Sequence, residues 1–165
     1  MRYFIQIILP FLAIFLQTTL FRSYTLFGSI PDVLLILVIF YALFNGARKG
    51  TTYGVLCGLL EDLYVGHFIG INAIGKGITA YVIGRLQGNV FKENPAVGII
   101  GVVGGTSLNS VVLIIIYLIS AKGFDESILL GTLYQIIYNT MISIPMYIWY
   151  YRSSNHGLLR EMVER

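Results

Sequence analysis

The sequence predicts an all-α fold, a polytopic membrane protein whose six transmembrane helices form one bundle. Three observations carry this expectation. Hydrophobic residues make up 56% of the 165-residue chain and charged residues 12%, with a mean hydropathy of +0.78, far from the balance of a soluble domain. Apolar stretches fill the chain almost from end to end. Glycines recur inside them, where each would cost a helix in water roughly 1 kcal/mol relative to Ala. A crossing helix needs about 20 largely apolar residues, so six of them leave no room for a separate soluble domain. One transmembrane domain is expected over 1–165, with spans at about 3–21, 31–44, 51–65, 71–87, 96–121 and 128–151 and a short tail over 152–165.

The first span follows Arg2 and stays apolar from Tyr3 to Phe21 without a small-residue cleavage site, so it reads as a retained anchor. The second opens on Ser29-Ile30-Pro31-Asp32. Ser suits an N-cap, Pro a first helical turn, and the carboxylate the positive end of the helix dipole. Spans two and three are short for a full crossing at about 1.5 Å per residue, so they extend into their flanks, tilt, are shielded by neighbours, or re-enter the membrane.

The segment joining the second span to the third carries a glycine ladder that runs on into the third: Gly46, Gly50, Gly54 and Gly58, continued at the same spacing by Asp62 and Gly66. A four-residue step returns to nearly the same helix face, so these residues form a smooth groove that a second helix can approach closely. Gly46, Gly50, Gly54, Gly58, Asp62 and Gly66 are therefore the expected partner-binding surface. The fourth span contains Lys76. A charge inside a membrane costs at least about 3 kcal/mol on insertion scales and is usually paired or snorkelling; Asp62 or Glu61 is the expected partner. The fifth span has the cluster Gly98, Gly101, Gly104 and Gly105, followed by Thr106, Ser107, Asn109 and Ser110. The sixth has Gln135, Asn139 and Ser143 at four-residue steps before Pro145. Such residues serve either as interhelical ties or as the wall of a substrate cavity. Leu158, Leu159, Met162 and Val163 give the tail an apolar side suited to the membrane surface.

Basic residues collect on cytoplasmic loops. With the N-terminus inside, Arg2, Arg48, Lys49, Arg85, Lys92, Arg152, Arg160 and Arg165 are cytoplasmic, whereas Arg22 and Lys122 lie outside with Glu61, Asp62, His67, Asp125 and Glu126. Both termini are thus expected inside, with Tyr147, Trp149, Tyr150 and Tyr151 forming an aromatic belt at the inner end of the last span. The net charge of +3 is dispersed along the chain, which argues against a nucleic-acid partner. Cys57 is the single cysteine, which excludes an internal disulfide and suggests packing, with no metal site. Glu61 and Asp62 lack a companion nucleophile, metal cluster or phosphate loop, and no catalytic motif is visible. No catalytic residue, cofactor or metal is expected.

The run Pro31 to Lys76 resembles the rod shape-determining MreD family. The matching features are Pro31-Asp32 opening a span, glycines 46, 50, 54 and 58 at four-residue steps, Asp62, Gly66, and Gly70 followed by Asn72. Size, six-span layout and inside termini extend the resemblance loosely to the whole chain. It implies a non-enzymatic component of the bacterial elongasome in the inner membrane, supporting side-wall peptidoglycan synthesis. Implied partners are MreC, the RodA glycosyltransferase with its class B penicillin-binding protein, MreB filaments and membrane lipid. Within this reading Pro31, Asp32, Glu61, Gly70, Asn72 and Lys76 are structural or ion-pair candidates. The family is similar in fold to the substrate-binding subunits of energy-coupling-factor transporters. That similarity keeps an alternative open, a small-molecule-binding transporter subunit with its cavity between spans five and six.

Overall fold

The computed structural model describes residues 2–19, 29–65, 69–88, 94–119 and 127–156. Gly66, His67, the remaining loop charges and the tail beyond His156 lie outside these residues. Five helices follow one another: α1 (Arg2–Thr19), α2 (Val33–Val65), α3 (Ile71–Arg85), α4 (Pro95–Ile119) and α5 (Ser127–His156). No strand occurs among the described residues.

The expected second and third spans both fall within α2, and the loop expected between them is absent. Their junction is one residue, Gly46, at φ 86° and ψ 173°, a conformation that glycine adopts without the steric penalty of a side chain. The chain doubles back there. The rings of Tyr41 and Tyr53, on either side of the break, stack at 4.2 Å, and Gly50 lies against Ala42. Asp32 and Glu61 contact the same ammonium group, yet an unbroken helix would hold them about 43 Å apart. α2 is therefore a hairpin of two arms, residues 33–45 and 47–65.

The first arm is the core of the bundle. From Val33 to Phe40, and at Ala42 and Leu43, no residue is more than 5% exposed, the signature of a helix enclosed on every side. Its thirteen-residue length is tolerated because neighbouring helices shield both ends. α3 makes the most extensive contact with α2, while α1, α4 and α5 also touch it. Phe40 meets Tyr147 edge to face at 5.2 Å and Phe44 meets Tyr150 at 5.3 Å. Tyr147 and Tyr150 are consequently buried, which corrects the expected belt: Trp149 alone of these rings is well exposed.

The distribution of polarity is inverted relative to a water-soluble protein. Lys76, Thr79, Thr106, Asn139 and Ser143 are fully buried, whereas Phe15, Ile100, Ile115, Ile137 and Met141 are exposed on the outer helix faces. α4 is long and apolar enough to cross a membrane, as is the stretch 33–65 taken over both arms of α2, and the shorter stretch Phe4–Thr19 is apolar too. The contacts also sort the charges. Tyr53 donates to the Gln6 carbonyl, Gln87 to the Phe44 carbonyl, and Gly98 lies on Tyr147, so Arg48, Lys49, Arg85 and Arg152 flank one end of the bundle. Asp32, Glu61 and Asp62 gather toward the other.

Candidate functional site

At the acidic end, the N-terminus of α2 is buried, and its orphan backbone donors need partners because no water reaches them. Asp32 accepts from Leu35 N at 2.7 Å, Gln17 of α1 accepts from Leu34 N at 3.2 Å, and Asn139 of α5 accepts from Asp32 N at 2.8 Å. Asp32, rather than Ser29, is thus the N-cap. Pro31 precedes the cap instead of occupying the first turn, and the Ser29 hydroxyl donates to the Gly131 carbonyl at 2.8 Å. Asn139 also donates to Thr106 of α4 at 3.1 Å. One turn of backbone therefore draws side chains from α1 and α5 directly, and from α4 through Asn139.

Lys76 enters this site from α3. Its Nζ donates to Asp32 Oδ2 at 2.7 Å and lies 2.6 Å from Glu61 Oε2, a charge contact without hydrogen-bond angles. The pairing expected with Glu61 is present. Asp62 is not a partner of Lys76, and Asp32 takes that place. Two carboxylates share one ammonium, but their surroundings differ: Asp32 also faces the positive end of a helix, whereas Glu61 has Lys76 as its countercharge.

Asp62 has a separate task. Its carboxylate accepts from Gly70 N at 2.8 Å, Asn72 N at 3.2 Å, Asn72 Nδ2 at 2.9 Å and Ala73 N at 3.2 Å, so it caps α3 across the intervening turn. Gly70 at φ 108° and the Asn72 amide complete this cap. Asp62→Ala is expected to lower stability by about 2 kcal/mol, within the range for a lost N-cap, seen as a lower melting temperature of the detergent-solubilised chain; an unchanged melt would remove the cap from the description.

The glycine ladder is occupied by the chain itself. A methyl group on Gly54 would fall 2.7 Å from the Lys76 carbonyl oxygen, one on Gly58 2.5 Å from Ala73 Cα, and one on Gly50 2.7 Å from Ala42 Cβ. From the other side, Gly84 of α3 meets Ala47, and Asp62 continues the register as the α3 cap. The expectation that Gly46, Gly50, Gly54 and Gly58 form a groove for a second polypeptide is therefore corrected: α3 and the first arm of α2 fill it. Gly66 lies outside the described residues.

Thr106, Asn109 and Ser110 of α4 and Asn139 and Ser143 of α5 are buried in the same interior, whereas Ser107 and Gln135 are only partly covered. Asn139 and Thr106 are tied to each other, while Asn109 Oδ1 and Thr79 Oγ1 are buried without a hydrogen-bond partner, beside the seam where Gly75 and Gly105 bring α3 and α4 together. Sequence reasoning missed Gln17, which is a lone amide in an apolar span, and the partnership of Asp32 with Lys76. Among the described residues, no group of His, Cys, Asp and Glu is arranged to hold a metal ion.

Ordered glycines, a capping Asp62 and an ion-paired Lys76 together mark the segment on which the family resemblance rests. A family model described as rod shape-determining protein MreD matches residues 1–154. The chain belongs to the MreD family. No curated protein and no solved structure gives a significant match. Membership assigns this MreD protein to rod shape determination in a family of membrane-associated proteins not known as enzymes, and to a system that includes a partner such as MreC.

Proposed function

We propose that this MreD-family chain is a non-enzymatic membrane scaffold of the elongasome. In this reading it forms a single transmembrane domain that crosses the inner membrane six times, with both termini cytoplasmic, the two arms of α2 counting as separate passes. The gathering of Arg48, Lys49, Arg85 and Arg152 at one end supports that orientation, because basic residues collect on the cytoplasmic side. MreC is the direct partner. RodA with its class B penicillin-binding protein, and MreB, act in the same assembly.

The observation that carries the proposal is an outward groove of about 350 Å³ between α2 and α3, floored by Ala73 and Gly77 and walled by Val55, Ile74, Ile78 and Tyr81. Ala73 and Gly77 are themselves buried at the bottom of this groove, with Val55 against Gly77, and their small size keeps the groove deep enough for a second transmembrane helix to come close, where packing replaces the missing hydrophobic drive. The single span of MreC fits such a groove. Gly50, Gly54 and Gly58 act at one remove, by holding the arm of Val55 against α3, and Asp32, Glu61 and Lys76 fix the base of the same pair.

Replacing Ile78 by Trp fills the groove from an exposed position. MreC captured from detergent with the variant is expected to fall at least about tenfold, the effect of losing roughly 1.4 kcal/mol, with the melting temperature of the isolated chain unchanged. Undiminished capture would exclude this face.

A further inference from the structure

A second groove lies on the other side of the α2 hairpin. It has a volume of about 480 Å³ and runs between α1 and the 47–65 arm of α2, within the size range of ligand sites. Ile7 and Leu56 give it apolar, exposed walls, and the stacked rings of Tyr41 and Tyr53 close one side. Arg48 and Lys49 stand at one end, both exposed.

The position of these cations follows from the fold. Gly46 breaks α2, and the second arm begins at once, so Arg48 and Lys49 occupy its first turn. A helix start repels cations through its dipole, yet two consecutive basic side chains are placed there. They also lie where the bundle leaves its apolar belt, next to a trough whose remaining lining is mostly apolar and aromatic (Ile7, Leu56, Tyr41 and Tyr53), with Gln6 and Thr52 as its polar members. The occupant that complements both features carries a negative head and an apolar chain.

We propose that this groove holds an anionic phospholipid, its phosphate on Arg48 and Lys49 and an acyl chain lying along Ile7 and Leu56. The basic end belongs to the cytoplasmic leaflet if the orientation proposed above holds; the pairing of charge with apolar trough does not depend on it. Basic pockets between transmembrane helices bind acidic lipid headgroups in this manner.

The experiment uses the purified full chain in neutral detergent, titrated with phosphatidylglycerol, phosphatidylcholine or glycerol phosphate and read by native mass spectrometry and thermal unfolding. Phosphatidylglycerol is expected to be retained about 30-fold more tightly than phosphatidylcholine, the effect of two surface basic residues, and to raise the melting temperature. Glycerol phosphate should do neither. R48Q/K49Q should abolish the preference, and Thr52→Trp should abolish it while leaving both cations in place, by filling the trough. Equal retention of the two lipids, or a preference that survives both variants, would overturn the proposal. A preference lost in R48Q/K49Q but kept in Thr52→Trp would overturn the seating of the chain in the groove, and an equal effect of glycerol phosphate would make the site one for free phosphate. Should R48Q/K49Q melt early without lipid, Thr52→Trp carries the test alone. MreC capture is unaffected by these variants, so this proposal and the scaffold reading fail separately.

Discussion

Lys76→Met is expected to unfold the bundle or bring it to the edge of unfolding. The substitution keeps length and apolar bulk but removes the ammonium between Asp32 Oδ2 and Glu61 Oε2, leaving two carboxylates in a site that Lys76 fills without any exposure. Removing one partner of a buried ion pair typically costs about 3–5 kcal/mol, a large share of a stability of about 5–15 kcal/mol. The measurement is thermal unfolding of the purified chain, together with its steady-state level in membranes. A triple variant, Lys76→Met with Asp32→Asn and Glu61→Gln, carries no uncompensated charge and should recover much of the loss. A single variant that melts like the parent would mean that the three groups have no mutual dependence.

Gly58→Leu is expected to separate α2 from α3. The glycine faces backbone rather than a flexible side chain: the Asn72 carbonyl and Ala73 Cα lie where a Cβ would go. Backbone cannot rotate aside, so the helices must move apart along a seam that also contains Gly54 and Gly84. Overpacking costs typically 1–3 kcal/mol and occasionally more, and here about 3 kcal/mol or more is expected because Asp62 and Lys76 lie on the same seam and lose their geometry with it. Gly104→Leu is the control, since nothing approaches the position that its Cβ would take. Both variants lengthen one residue of a glycine cluster, and only Gly58→Leu should lower the melting temperature. Equal behaviour would remove close approach as the reason for the glycine.

Much of the fold was legible from residues alone. Helical class followed from hydropathy, and the separation of Arg48, Lys49, Arg85 and Arg152 from Glu61 and Asp62 followed from charge, because both patterns are local in the chain. The missing loop between the second and third spans was not legible: Gly46 was visible as a rung of the ladder, but a glycine permits a reversal without announcing one. The ladder's spacing marks a place of close helix approach but does not say that α3 fills it, since spacing defines a face and not its occupant. The same limit governs the polar core. Lys76 required a countercharge by energetics alone, and Glu61, fifteen positions away, was within reach of that reasoning. Asp32 was not, because its proximity depends on the Gly46 reversal. Asp62 continued the glycine register and so invited a shared role, whereas its four hydrogen bonds make it the cap of α3. Asn139 and Thr106 stood out as a polar stripe whose partner, the buried start of α2, became visible with the packing.

The internal seam is tested most directly by thermal unfolding of Gly54→Ala in the isolated chain, with no partner present. Ala has the better helix propensity by roughly 1 kcal/mol, so a glycine face turned to lipid or awaiting another protein would be left unchanged or stabilised by this substitution. A seam closed by Lys76 and Ala80 of α3 predicts the opposite sign, a melting temperature lowered by several degrees, as for a loss of about 1–2 kcal/mol. A chain that melts at or above the parental temperature while losing MreC would contradict it.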